Sequence, residues 1–204
     1  MNQKIKPLAE GAIMIALATI LSFIKIFQLP YGGSITLFSM LPICIIAYKY
    51  GWKRGVLCGF VYGCVQSLFD TIGGAAVGMS LGNVLLMLFL DYFLAFAVLG
   101  FAGVFRGKFK SDTVSFILGI LFAILLRLLC HALSGYILFS SYAEWFFSQE
   151  GFTFGEMVLT KMQGQVLYIF YAFFYNMTYL VPEAILSVIG GSVLLRVLKK
   201  NILQ

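Results

Sequence analysis

The chain has 204 residues, of which 61% are hydrophobic and only 11% are charged. Soluble domains contain about 45–50% apolar and about 25% charged residues, so this composition excludes an ordinary water-soluble fold. The net charge of +6 gives no case for nucleic-acid binding, because basic loops beside anionic lipid account for it. We expect a single domain, residues 1–204, since no linker or low-complexity tract divides the chain.

Six apolar stretches have the length of membrane-spanning helices, which need about 20 residues to cross a hydrocarbon core about 30 Å thick. The sequence therefore predicts an all-α integral membrane bundle of six transmembrane helices. The second span is short and contains Pro42, which favours a broken or tilted helix, and the long sixth span contains Pro182. In chain order, the predicted spans are 8–27, 35–50, 55–72, 80–105, 114–140 and 165–198.

Basic residues predict the orientation, because Lys and Arg accumulate on the cytoplasmic side of membrane proteins. One set of span ends carries only Lys25 and Lys161. We therefore expect both termini to be cytoplasmic and the aromatic-rich loop 141–163 to face outside, as an interfacial belt or as a lid over a pocket. The alternate ends carry Lys4, Lys6, Lys49, Lys53, Arg54, Arg106, Lys108, Lys110, Arg196, Lys199 and Lys200.

Asp91, Arg127 and His131 are the clearest ionisable residues within the predicted spans, where each costs a few kcal/mol and is therefore a functional candidate. Asp91 lies near the middle of the fourth span. Arg127 and His131 are four residues apart and share one face of the fifth span, and Gly135 leaves room on that face for a flat group. The outer half of the sixth span adds Tyr168, Tyr171, Tyr175, Asn176 and Tyr179.

A carboxylate surrounded by aromatic rings is suited to an organic cation, since each cation–π contact contributes about 0.5–2 kcal/mol. Tyrosine hydroxyls and an asparagine amide would then select a heterocycle by its donors and acceptors. The alternative is structural: Asp91 forms an ion pair with Arg127, His131 hydrogen-bonds a neighbouring helix, and Asn176 joins helices.

Other polar side chains are assigned weaker roles. Gln66 and Asp70, four residues apart, are expected at a solvated rim, and Glu183 fits either an interior partner or a site residue. No metal or redox site is expected from the cysteines, which lack a CxxC spacing. A single histidine and the absence of HExxH and of a clear nucleophile–base pair argue against an enzyme. The cysteines are Cys44, Cys58, Cys64 and Cys130.

Four groups of residues have the order and spacing of a known family across most of the chain. They are Tyr31-Gly32-Gly33-Ser34-Ile35, Leu90-Asp91-Tyr92, Leu126-Arg127 with His131 and Ser134-Gly135, and Tyr171 with Tyr175-Asn176-Met177-Thr178-Tyr179 through Pro182. Together they resemble the substrate-binding S component of energy-coupling-factor (ECF) thiamine transporters. The resemblance implies a high-affinity thiamine-binding subunit of an ATP-driven importer in the bacterial plasma membrane. The alternative is an S component for another vitamin or heterocyclic precursor.

The resemblance also implies specific roles for residues of this chain. Ala12 and Ala16 match a small-residue surface on the first helix that docks on a membrane scaffold subunit, although ordinary internal packing is the alternative. Two cytoplasmic ATPases would supply the energy, because the chain has no GxxxxGK[ST] loop of its own. No catalytic residue, cofactor or metal is implied. The implied thiamine-binding residues are Asp91, Tyr92, Arg127, His131, Gly135, Phe139, Tyr171 and Asn176.

Overall fold

A computed structural model describes the backbone of residues 5–29, 33–72 and 76–203, and the side chains of 5–29, 33–71 and 76–197. The predicted features at Lys4, Tyr31 and Gly32 therefore lie outside the described residues, and so do the side chains of Lys199 and Lys200. The elements in chain order are α1 (Lys6–Ser22), β1 (Lys25–Gln28), β2 (Ser34–Thr36), α2 (Leu41–Tyr50), α3 (Trp52–Ile72), α4 (Leu81–Met87), a π-helical turn (Leu88–Leu94), α5 (Ala95–Ala97), a 3-10 helix (Val98–Gly103), α6 (Asp112–Leu138), a 3-10 turn (Ser140–Tyr142), α7 (Ala143–Phe147), α8 (Thr153–Lys161) and α9 (Gly164–Leu203).

Helices dominate this architecture, in agreement with the predicted all-α membrane class. Three helices of the described chain are both long and apolar enough to cross a bilayer: Leu81–Gly103, Asp112–Leu138 and Gly164–Val197. They correspond to the predicted fourth, fifth and sixth spans. The helix α3 has 21 residues, α1 has 17 and α2 has 10. The predicted number of crossings therefore depends on how these three helices lie in the bilayer.

The last residues of the first predicted span and the first residues of the second are not helical. In their place β1 and β2 pair antiparallel, with Phe27 opposite Ile35 and Gln28 opposite Ser34. The predicted boundaries were wrong here because apolar content alone does not distinguish a short strand from the end of a helix. Pro42 lies in the first turn of α2, where its fixed φ and missing N–H are tolerated, so the second helix is shorter than predicted.

The short helix α2 lies at the centre of the bundle. Its residues from Leu41 to Tyr48 are all buried, and it contacts α1, α3, the 3-10 helix, α6 and α9. A helix that is apolar on every side is stable only when other helices enclose it. The outer helices therefore pack around α2, and their lipid-facing surfaces remain apolar.

The fourth span, which we call the segmented helix (Leu81–Gly103), changes its winding along its length. Ordinary α-helical turns widen to a π-helical turn at Leu88–Leu94 and tighten to a 3-10 helix at Val98–Gly103. Asp91 lies in the wide turn. Wide turns of this kind are rare and occur frequently at functional sites.

Candidate functional site

The Asp91 carboxylate points into the bundle and accepts hydrogen bonds from α6. Its Oδ1 lies 2.8 Å from His131 Nδ1, and its Oδ2 accepts a hydrogen bond from the Ser134 hydroxyl. The Asp91 side chain is 17% exposed. The wide turn of the segmented helix thus presents this acid to a face of α6 on which two donors lie three residues apart, one helical turn from each other.

The His131 imidazole separates Asp91 from Arg127. Arg127 Nε donates to His131 Nε2 at 3.1 Å, so Nε2 carries no proton and the neutral ring donates from Nδ1 to Asp91. The direct ion pair between Asp91 and Arg127 that the sequence left open is not what the structure shows. A chain of two hydrogen bonds joins the two charges instead.

The Arg127 guanidinium is held deep in the bundle. It lies over the Phe96 ring, with its central carbon 4.2 Å from the ring centroid, and the residue is 8% exposed. One of its terminal nitrogens, Nη1, is buried without a hydrogen-bond partner. A buried donor without an acceptor is costly, so a polar ligand atom that reached this nitrogen would be bound favourably.

Residues of α9 close the other side of the site. Asn176 donates from Nδ2 to the backbone oxygens of His131 at 3.3 Å and Ala172 at 2.7 Å. The Tyr179 hydroxyl donates to Asn176 Oδ1, and its ring meets the His131 ring edge-on at 6.2 Å. Asn176 therefore joins α6 to α9, which is the structural role that the sequence left open for it. We call Asp91, Arg127, His131, Ser134, Asn176 and Tyr179 the polar layer.

Gly135 lies on the face of α6 that packs against α9. A Cβ atom added there would lie 3.3 Å from the Ala172 Cβ and 3.4 Å from Asn176 Nδ2. The missing side chain of Gly135 therefore leaves space next to α9. This space lets α9 pack close to α6 beside the polar layer.

Tyr92 and the predicted rim lie on the α3 side of the wide turn. The Tyr92 ring stacks near Phe96, with centroids 6.4 Å apart, and its side chain lies beside half-buried Asp70. Gln66 is not at a solvated rim: it is 8% exposed and donates from Nε2 to Ser22 Oγ at 2.8 Å. That prediction was wrong because Gln66 faces α1, and a buried amide is stable where it finds a hydrogen-bond partner.

Aromatic side chains cover the outer end of α6 and α9. Phe139 ends α6 and packs with buried Tyr171 in one apolar cluster. The Phe146 ring lies 5.5 Å from the Tyr171 ring and 5.6 Å from the Tyr175 ring. We call Phe139, Phe146, Phe147, Tyr171 and Tyr175 the aromatic cap. Tyr175 also lies 6.3 Å from Tyr179, so the cap is continuous with the polar layer.

Six of the eight predicted substrate-binding residues thus fall into two adjoining groups. The polar layer holds Asp91, Arg127, His131 and Asn176, and the aromatic cap holds Phe139 and Tyr171. Ser134 belongs to the Ser134-Gly135 segment of the family resemblance, but the sequence predicted no role for its hydroxyl. Its spacing of three residues from His131, which places both on one helix face, was the signal that could have identified it.

Two further regions lie apart from these groups. Ala12 and Ala16 are both exposed on α1. An apolar groove of about 360 Å³ opens on the outside of the α6–α9 contact, between Leu129 and Phe173, and none of the eight predicted substrate-binding residues lines it. Among the side chains described, no group of three or more His, Cys, Asp and Glu residues is arranged to hold a metal ion.

Long apolar helices around a buried carboxylate, imidazole and guanidinium define a polytopic membrane protein with an internal polar site. The thiamine transporter protein family (Thia_YuaJ) matches residues 8–149. Thiamine transporter ThiT of Bacillus subtilis (strain 168) is 31% identical, over 93% of this chain and 91% of that protein. The chain therefore belongs to the thiamine transporter family, which confirms the resemblance found in the sequence.

The fold agrees with this assignment. A solved structure of ThiT from Listeria monocytogenes superposes with a TM-score of 0.71 over 100% of both chains, at 23% identity. The family and its relatives are transporters and not enzymes, as expected from the sequence. The protein is a multi-pass protein of the bacterial cell membrane.

Proposed function

We propose that this protein is the high-affinity thiamine-binding S component of an ATP-driven ECF importer. The observation that supports this most directly is the Asp91 carboxylate, which is held inside the bundle by His131 and Ser134 and not by a direct contact with Arg127. The thiazolium ring of thiamine carries a permanent positive charge, and a poorly hydrated carboxylate beside aromatic rings attracts such a cation. Thiamine enters from outside and is bound in the outer half of the membrane.

The other predicted residues contribute recognition. The unpartnered Arg127 Nη1 is available to an acceptor atom of the ligand, and the rings of Tyr171 and Phe139 contribute an aromatic surface beside the polar layer. Tyr92 follows Asp91 on the segmented helix, on the side of α3, and Gly135 follows Ser134 on α6, next to α9. This set has both the charge and the aromatic surface that a flat, cationic vitamin requires.

Six crossings with both termini in the cytoplasm are part of the proposal. Basic residues of the inner loops gather at one end of the bundle, where Arg106 donates to the backbone oxygen of Lys49 and the Lys49 amine lies 2.8 Å from Glu10. With 10 residues, α2 is about 15 Å long, so residues 33–40, in which β2 is followed by a turn, must complete the second crossing.

Transport requires partners in this proposal. The exposed Ala12 and Ala16 offer a flat surface on α1 to which a helix of the membrane scaffold subunit can pack closely. Two cytoplasmic ATPases bound to that scaffold supply the energy for release into the cell.

Binding of labelled thiamine to the purified protein tests the proposal. We expect saturable binding to the wild type and a fall in affinity of about fiftyfold or more for Asp91→Asn, because the cation loses its counter-charge. Asp112→Asn is a matched control, since it makes the same change at the start of α6 and should leave affinity unchanged. A lack of saturable thiamine binding to the wild type would reject the proposal.

Thermal stabilisation by a panel of vitamins tests the alternative of a different ligand. A ligand that binds the folded state raises the unfolding temperature according to its concentration and affinity. Thiamine should give the largest shift. A larger shift with another vitamin would identify that compound as the substrate of the same fold.

A further inference from the structure

Glu183 is a buried acid that the proposed site does not use. It is 4% exposed, and its Oε1 accepts hydrogen bonds from the Thr36 backbone N–H at 2.9 Å and from the Thr36 hydroxyl at 2.5 Å. Because the Thr36 hydroxyl donates to Glu183, the Ser39 hydroxyl must donate to Thr36, at 2.6 Å. Hydrogen bonds donated to a carboxyl oxygen are stronger when the carboxyl group is ionised, so two donors directed at one oxygen favour the carboxylate form.

Glu183 faces the same interior as the polar layer. It lies one helical turn from Tyr179, whose ring packs against His131 at 6.2 Å. The Tyr62 side chain of α3 lies within electrostatic reach of both Arg127 and Glu183. Tyr179 lies within electrostatic reach of Arg127, Asp91 and Glu183, so both carboxylates belong to one charged volume around Tyr179.

The charges in this volume do not balance. Asp91 and Glu183 are two carboxylates, Arg127 is one guanidinium, and His131 is neutral because its Nε2 accepts the hydrogen bond from Arg127. Two other acids among the described residues lie beside cations: Glu10 pairs with Lys49 at 2.8 Å, and Asp70 lies within reach of Lys25. One negative charge remains without a partner, and an unpaired charge inside a membrane protein is costly.

We propose that Glu183 is a specificity-determining residue, the second carboxylate whose charge makes the site prefer a monocation to a neutral molecule of the same shape. This inference rests on the proposed function and deepens it. A single positive charge on the ligand neutralises the interior, whereas a neutral ligand leaves it charged. Glu183 acts through space and need not touch the ligand, and the hydroxyls of Thr36 and Ser39 hold its oxygen in place.

Two ligands measured on the same protein samples test this inference. Isothermal titration compares thiamine with a neutral isostere in which an uncharged ring replaces the thiazolium. For Glu183→Gln we expect thiamine affinity to fall by about tenfold or more, while isostere affinity stays within about twofold. For Thr36→Val, which removes a donor but keeps the charge, the ratio of the two affinities should stay within about twofold of the wild type.

The outcomes separate charge selection from a structural role. If Glu183→Gln lowers the affinities for both ligands equally, or lowers neither, the inference is overturned. A tenfold fall of the ratio of thiamine affinity to isostere affinity in Thr36→Val would also overturn the inference. This second variant keeps the inference open to rejection if Glu183→Gln does not fold. A wild type that binds both ligands equally well rejects charge selection but leaves the proposed function intact. A wild type that binds neither rejects the proposed function.

Discussion

The two walls beside the polar layer are built in opposite ways. On one side α3 packs on the segmented helix through glycines: a Cβ atom at Gly59 would lie 2.3 Å from the Phe96 backbone oxygen, and one at Gly63 would lie 2.5 Å from that of Tyr92. On the other side the aromatic cap packs α6, α7 and α9 through large rings. The first contact joins backbone to backbone, and the second joins side chain to side chain.

This difference indicates which wall can adapt to a ligand. A contact between backbones has no rotamers, so the wide turn that carries Asp91 is held rigidly. Aromatic rings in tilted and edge-on contacts have several arrangements of similar energy. We call the contact between α3 and the segmented helix, through Gly59, Gly63 and Gly100, the glycine wall. We therefore expect the glycine wall to position the ligand and the aromatic cap to adapt to its shape.

The largest effect is expected for Gly100→Ala in the glycine wall. Its added methyl group would lie 2.0 Å from the Val56 backbone nitrogen, so the helices must separate at a cost of about 3 kcal/mol or more. The free energy of unfolding and the yield of monodisperse protein should both fall. Gly82→Ala is the matched control, because nothing lies within 4 Å of its Cβ position, and it should be neutral or slightly stabilising. Equal stability of the two variants would show that the glycine wall is not tightly packed.

A smaller effect is expected for Ser134→Ala at the junction of the two walls. Losing a hydrogen bond to a charged group costs about 1.5–3 kcal/mol, so thiamine affinity should fall by about tenfold or more as the carboxylate loses its orientation. Titration with thiamine measures this change. Ser115→Ala is the control: Ser115 is a buried serine near the other end of α6 whose hydroxyl donates to Ser111, and affinity should not change.

Within the aromatic cap, Phe146→Leu should cost about 1 kcal/mol of stability, because the ring loses its contacts with neighbouring aromatic residues. Thermal unfolding detects this as a shift of a few degrees. Phe89→Leu, at a position that is 54% exposed, should leave the unfolding temperature almost unchanged. Loss of all thiamine binding in Phe146→Leu with normal stability would contradict an adaptable cap and point to a rigid one.

The smallest effect is expected for Phe139→Trp, which enlarges a ring of the cap. An indole offers a stronger cation–π surface than a phenyl ring, so thiamine affinity should rise by a few-fold, equivalent to about 1 kcal/mol or less. Phe139→Leu should lower affinity by a similar factor. A large loss of affinity in Phe139→Trp would mean that the cap has no space for the bigger ring, against the adaptability inferred above.

Much of this arrangement could be predicted from the amino-acid sequence. Asp91, Arg127 and His131 were identifiable because charged groups are rare within apolar helices, and the i, i+4 spacing placed the last two on one face. The pairing of Asp91 with His131 was not predictable, since it depends on the rotation of the segmented helix. The β1–β2 hairpin was missed because Ile26 and Phe27 prolong the apolar run of α1 beyond Lys25, and only pairing with residues 34–36 makes residues 25–28 a strand.

The wide turn at Leu88–Leu94 has a consequence for any alignment or graft of this helix. A π-helical turn accommodates one residue more than an α-helical turn, and one residue corresponds to a rotation of about 100° about the axis. The halves before and after it are therefore out of phase, and no single stripe of positions follows one face from Leu81 to Gly103. Deleting one residue within this stretch would restore uniform winding and turn one half of the helix by about 100° relative to the other, which would move some interior side chains towards lipid.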